Sequence, residues 1–266
     1  MYNIVQDAGH ALGGLVAGTP ALLVRIGLDR PASIRWTLGF SALLLLAAVP
    51  FYLRLGASAE ATERRAPRAL SPGSRRVVAR ISALFALDSL GGGFLTTALV
   101  SYFFFERFGV GEGVVGPLFF FARLANAASH LGAAWLAKRI GLVRTMVFTH
   151  VPSSLLLVTV AFAPSFPVAA ILFLLREGLV EMDVPTRQSY VMAVVRPEER
   201  TLASGVTHLV RMAAWAVAPS FAGALMRGPL LAAPLVVGAG MKIVYDGLLF
   251  VAFRRVRPPE ERQEQE

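Results

Sequence analysis

Nine charged side chains lie inside apolar stretches of this chain: Asp7, Asp88, Arg123, Arg176, Glu177, Glu181, Arg211, Lys242 and Asp246. In hydrocarbon a charge costs at least ~2.5–3.5 kcal/mol, so such residues face a protein interior or a wet cavity. The densest group is Arg176, Glu177, Glu181, Asp183 and Arg187. Glu177 and Glu181 are i,i+4 and share a face if the segment is a continuous helix. Two carboxylates so placed in low dielectric do not both ionise cheaply, and one is expected to keep its proton. That suits proton coupling. The same residues also support a static ion-pair net, Arg176 with Asp183 (i,i+7) and Asp183 with Arg187 (i,i+4), or simple exposure at an inner vestibule. Asp88 precedes Gly91-Gly92-Gly93, a triplet that lets a helix bend or a solute approach backbone.

Other spans carry polar residues on single faces. Asn3, Asp7 and His10 follow helical spacing, as do Arg123, Asn126 and His130, and also His208, Arg211 and Trp215. Arg123 and Arg211 offer forked donors for an anionic group; pairing with Asp7, Glu181 or Asp246 across helix interfaces is the alternative. Lys242 and Asp246 are i,i+4 and are expected to satisfy each other. The histidines, His150 among them, are expected to pack rather than relay protons. No His/Glu cluster has zinc-site spacing, and no glycine loop with Lys-Ser/Thr follows a strand. No serine has a convincing His/Asp partner, and the chain has no cysteine. No metal, cofactor or ATP-driven step is expected.

The elements that must position these groups follow from hydropathy. The chain is 55% hydrophobic and 16% charged, against roughly 25% charged in soluble domains, and its mean hydropathy is +0.60. Eight stretches are about long enough to cross a bilayer: Tyr2–Val24, Ile34–Tyr52, Val78–Phe105, Val114–Ala137, Thr145–Phe162, Phe166–Thr186, Leu202–Met226 and Leu230–Phe253. They are too long and continuous for barrel strands, so helices are expected in lipid. The first run contains Asp7 and His10 and lacks a basic start, so it is not read as a signal peptide.

Gly56–Arg76 is polar, rich in Arg, Pro and Ser, and reads as a cytoplasmic linker. With the linker inside, 17 Lys and Arg fall on the inner side and five on the outer side. That asymmetry places both termini in the cytoplasm. It also accounts for the net charge of +9 without a nucleic-acid partner. The expected fold is an all-α polytopic membrane protein with eight transmembrane helices.

A short internal repeat relates Ala11-Leu-Gly-Gly-Leu-Val-Ala-Gly18 in the first span to Ala216-Val-Ala-Pro-Ser-Phe-Ala-Gly223 in the seventh. Small residues permit close helix approach. The six-span separation is what parallel six-helix halves produce. After the fourth span comes Gly132-Ala-Ala-Trp-Leu-Ala-Lys138-Arg139-Ile-Gly141-Leu-Val-Arg144-Thr145. This resembles the loop motif of the major facilitator superfamily, in the weaker copy after the eighth helix; Ala137 stands where the stronger copy carries Asp. Asp183-Val-Pro-Thr-Arg187-Gln-Ser-Tyr190, with Arg196-Pro-Glu-Glu-Arg200 and Gly205, resembles the tenth-to-eleventh helix connection of bacterial efflux-type members.

The resemblance implies that the eight spans correspond to helices five to twelve of a twelve-helix transporter. Residues 1–54 then hold the last two helices of an N-terminal half, 55–77 the linker, 78–253 a C-terminal six-helix bundle and 254–266 a tail. The expectation is a truncated product or a fragment completed by a partner chain, with a genuine eight-helix protein as the alternative. In the family the seventh and tenth helices line the cavity, which are the third and sixth spans here. The resemblance implies a secondary transporter in a bacterial inner membrane, exporting a small organic solute by alternating access with proton antiport. Asp88, Arg123, Arg176, Glu177, Glu181 and Arg211 would line the pathway. Gly132, Lys138, Arg139, Gly141, Arg144, Asp183 and Arg187 would form the gate. An accessory membrane subunit without transport of its own and an intramembrane enzyme are the other readings.

Overall fold

The computed structural model describes residues 2–54, 69–227 and 230–253. Most of the expected linker (55–68) and the tail from 254 lie outside the described residues. The described chain is α-helical, with one 3-10 turn and no strand: α1 (Tyr2–Ala17), α2 (Thr19–Arg25), α3 (Arg30–Leu53), α4 (Pro72–Gly93), α5 (Thr97–Phe108), α6 (Glu112–Ile140), α7 (Leu142–Ala161), α8 (Phe166–Val180), α9 (Asp183–Val194), α10 (Arg200–Met226) and α11 (Ala233–Phe253). Among the described residues, five segments are long and apolar enough to cross a membrane: Arg30–Leu53, Pro72–Phe108, Leu142–Ala161, Pro197–Met226 and Ala233–Phe253.

Three expected spans are broken, each for a local reason. The first breaks at Gly18, because Pro20 has no N–H for the Val16 carbonyl. The Thr19 hydroxyl donates to that carbonyl instead, at 2.7 Å. The third breaks after the glycine triplet, where Phe94 and Leu95 N–H groups fold back on Gly91 and Gly92 carbonyls at 3.3 and 2.9 Å. Thr96 then caps α5, accepting from Leu99 N–H. The sixth, expected to be continuous from Phe166 to Thr186, ends at Val180 and restarts at Asp183. Pro185 offers no N–H to the Glu181 carbonyl, and Val184 N–H takes it at 3.2 Å. Glu177 and Glu181 therefore do not lie on one uninterrupted helix.

α4 begins at Pro72, capped by Ser71, ahead of the expected span at Val78. Beyond the cap, Ser71 N–H donates to Glu199 Oε1 at 2.6 Å, which ties the start of α4 to the 3-10 turn Pro197–Glu199 before α10.

Small residues set the closest crossings. A Cβ on Gly116 of α6 would sit 2.9 Å from the Gly14 carbonyl and 3.0 Å from Gly18 Cα. The repeat's glycines thus seat α1 on α6. In α4, a Cβ on Gly91 would meet the Gly238 carbonyl of α11 at 3.0 Å, and one on Gly93 would meet Ala218 Cβ of α10 at 2.5 Å. The triplet is a helix end and a double contact surface at once. Two apolar cores flank this level. One is aromatic, with Phe104 edge-on to Phe166 and Phe173 at 5.8 and 5.7 Å. The other packs Ile81, Phe85, Tyr190, Tyr245 and Leu249. The most apolar window of α3 buries no residue, and Leu45 and Leu53 are 75% and 80% exposed.

Candidate functional site

Between the two cores lies a cavity of about 370 Å³. α4 brings Asp88, Ser89 and Gly92 to it, and α6 brings Arg123. Arg176 and Glu177 come from α8, with Glu181 at its end, and Asp183 and Arg187 from α9. His150, Arg211 with Trp215, and Lys242 enter from α7, α10 and α11. The six pathway residues expected from sequence thus share one cavity, together with Asp183 and Arg187.

Asp88 is the hub of its ion network. Its Oδ1 accepts from Lys242 Nζ at 2.8 Å and its Oδ2 from Arg187 Nη1 at 2.9 Å. The same Nη1 reaches Asp183 Oδ2 at 2.8 Å. Lys242 Nζ also lies 3.2 Å from His150 Nε2, and His150 Nδ1 is 3.0 Å from both oxygens of Asp246. An ionised Asp246 only accepts and an ammonium only donates. With Asp246 ionised and Lys242 charged, Nδ1 would donate to Asp246 and Nε2 would accept from Lys242. Asp88, His150, Asp246 and Arg187 are all 4% exposed or less. These charges link four helices, α4, α7, α9 and α11, and separating them would leave uncompensated buried charges, at a cost of about 3–5 kcal/mol for a broken pair.

Lys242 and Asp246, expected to pair with each other, instead turn to Asp88 and His150. The local i,i+4 contact loses to inter-helix partners that are themselves buried and need neutralising. Arg176 does not reach Asp183 across seven residues; it pairs with the adjacent Glu177, whose other oxygen accepts from Asn126 Nδ2 at 3.0 Å. Asp7 gathers His130 at 2.8 Å and Arg123 at 3.6 Å, joining α1 to α6. Two charges are left over. Arg211 has one hydrogen bond, from Nε to Ser89 Oγ at 3.2 Å, and no carboxylate within ion-pair distance among the described residues. The Glu181 carboxylate makes no hydrogen bond or ion pair among the described residues.

The expected gate is split by the structure. α6 and α7 meet at Gly141 alone, with φ 84° and ψ 162°, a conformation that favours glycine. Lys138, Arg139 and Arg144 are exposed, and Arg139 stacks over Trp135 at 4.4 Å. Gly132 lies against the α8–α9 turn, where a Cβ would meet Met182 Cε at 3.0 Å. None of these five lines the cavity, whereas Asp183 and Arg187 do.

Sequence reasoning expected His150 to pack and Asp246 to pair with Lys242, and assigned neither to the pathway. A signal existed: Thr149, His150, Ser153 and Ser154 make α7 polar on a side that is buried.

A family model for the major facilitator superfamily matches residues 1–219 and, in an overlapping second match, residues 81–266. The chain belongs to the major facilitator superfamily. Members are secondary transporters in general, and this one is accordingly an integral membrane protein in contact with lipid. The superfamily assignment explains how buried charges and a bare apolar α3 coexist. The chain is also similar to an uncharacterized membrane protein of Saccharomyces cerevisiae, 29% identical over 185 residues. That match covers 69% of this chain and 41% of the yeast protein, so it spans about two fifths of that relative's length.

Proposed function

We propose that this chain moves a small organic solute across a membrane by alternating access, coupled to protons in the direction of export. The observation that carries this reading is the polar cavity: nine charged groups converge on it inside an apolar helical bundle. Charges are kept at such depth where they serve a pathway. On this reading the chain crosses the bilayer eight times with both ends cytoplasmic. α1–α2 and α3 belong to one half of the fold, and residues 78–253 form the other. Asp183 and Arg187 clasp α9 to α4 as a gate, with Gly132, Lys138, Arg139, Gly141 and Arg144 forming the stiff turn behind it.

Glu181, not Glu177, is the proton-exchanging group in this proposal. Glu177 is committed to Arg176 and Asn126, whereas Glu181 faces the cavity without a fixed partner. Proteoliposomes loaded with a pH dye test this. Solute-induced proton movement should vanish in Glu181→Gln, while solute exchange at equal pH survives. Glu181→Gln coupling protons at the parental rate would refute the assignment. A second reading is favoured by α3, whose apolar surface is bare: the bundle works with a partner chain that covers it. Co-purification of one stoichiometric partner, with flux only in its presence, would support that reading.

A further inference from the structure

The two charges without fixed partners say what the solute is, granting that the cavity is a transport site. Arg211 spends its Nε on Ser89, which leaves the two Nη groups of a planar fork for a ligand. A fork of that kind matches a carboxylate or phosphate. Glu181, in the same cavity, offers two acceptor oxygens to an ammonium. Within a bilayer-embedded bundle both groups are costly unless water or a solute meets them.

The remaining charges decide against a solute of one sign. Arg123, Arg176, Arg187, Arg211 and Lys242 line the cavity, against Asp88, Glu177, Glu181 and Asp183. Asp7 stands behind Arg123 and Asp246 behind His150. The fixed charges cancel to within one unit, so a singly charged solute gains little from the net field. A neutral solute with separated charges gains at both ends. Phe119, Phe173 and Trp215 add apolar lining to the same cavity.

We propose that the solute is amphoteric, with an ammonium for Glu181 and a carboxylate for Arg211 joined by an apolar body, the chemistry of a hydrophobic amino acid. Coupling follows directly: Glu181 holds either a proton or the ammonium, so loading the solute releases the proton. No bond is made or broken.

Equilibrium binding to the full chain in detergent tests the class with matched probes. These are phenylalanine, phenethylamine (no carboxylate) and 3-phenylpropionate (no amine), with leucine, isoamylamine and 4-methylpentanoate as a second set. In each set the amino acid should bind at least about tenfold more tightly than either fragment, which is about 1.4 kcal/mol. Arg211→Gln should reduce the amino acid to the affinity of its amine, and Glu181→Gln to that of its acid. Arg211→Lys, which keeps the charge without the fork, should recover part of the loss. Equal binding of amine and amino acid by the parent protein would overturn the proposal. So would an amino-acid affinity unchanged by Arg211→Gln, or no amino-acid binding at about 1 mM. Proton-coupled flux of a purely cationic or anionic solute would overturn the class and leave the transport reading standing. Tight, charge-selective binding of amino acids without any flux would do the reverse.

Discussion

Adjacent glycines in α4 should respond to the same substitution with opposite signs. An alanine Cβ at Gly93 would lie 2.5 Å from Ala218 Cβ and 2.7 Å from the Trp215 carbonyl oxygen. Unbonded carbon atoms rest at about 3.5–4.0 Å, so α10 must retreat by roughly an ångström along its contact with α4. Overpacking of this kind costs about 1–3 kcal/mol. The helix-propensity gain of alanine over glycine, about 0.8–1 kcal/mol, offsets only part of it. At Gly92 the nearest atoms to a Cβ are Lys242 Nζ and Trp215 Cδ1, both at 3.9 Å, an ordinary contact that leaves the propensity gain intact. With about 2–4 °C per kcal/mol for a chain of this size, Gly93→Ala should melt several degrees below Gly92→Ala in detergent, with the parent between them. Ala218→Gly added to Gly93→Ala should recover part of the loss, because it removes the 2.5 Å contact but not the carbonyl. If Gly93→Ala melts at or above Gly92→Ala, the α4–α10 crossing is wrong.

The ion network predicts an asymmetry: Asp88→Asn strands Lys242 and leaves Arg187 with Asp183 alone, whereas Lys242→Gln leaves Asp88 its Arg187 partner. Asp88→Asn should therefore cost the larger amount, on the order of 3–5 kcal/mol, in melting temperature and folded yield; equal losses would refute the hub. Gly116→Leu should prise α1, and the start of α2 with it, from α6, because a Cβ there already meets Gly14 and Gly18 backbone at 2.9–3.1 Å. Its readout is disulfide trapping between Ala21→Cys and Gly113→Cys, whose Cβ positions lie 3.1 Å apart; unchanged trapping would contradict that packing. Glu199→Ala should free the start of α4 from the turn before α10 and speed hydrogen exchange at the Ser71 amide, which otherwise stays protected.

Much of the bundle was legible because apolar length and polar faces are local properties. Asp88, Arg123, Arg176, Glu177, Glu181 and Arg211 were found as charges in the wrong solvent, and the cavity is where such charges collect. The glycine triplet was visible as a break. That its first and last members are contact points for α11 and α10 was not, since this depends on which helices lie alongside. Pro20 and Pro185 were equally visible but lay inside apolar windows, and hydropathy averaged over them. Lys242 illustrates the limit best. Its i,i+4 neighbour Asp246 was the only partner a single helix could offer, while its actual partner stands 154 residues earlier.

That distance has a consequence for how the protein is made. Asp88 enters the membrane with α4, 99 residues before Arg187 and 154 before Lys242. At about 5–20 residues per second of synthesis, the carboxylate waits about 5–20 s for its first cation and about 8–30 s for its second. Lipid is no place to wait with a bare charge. Nascent α4 must linger at the wet lateral face of the insertion machinery, or enter the bilayer protonated, until α9 and α11 emerge. Translation arrested between residues 100 and 180 should leave a cysteine placed in α4 open to a water-soluble thiol reagent, and translation past residue 253 should shield it.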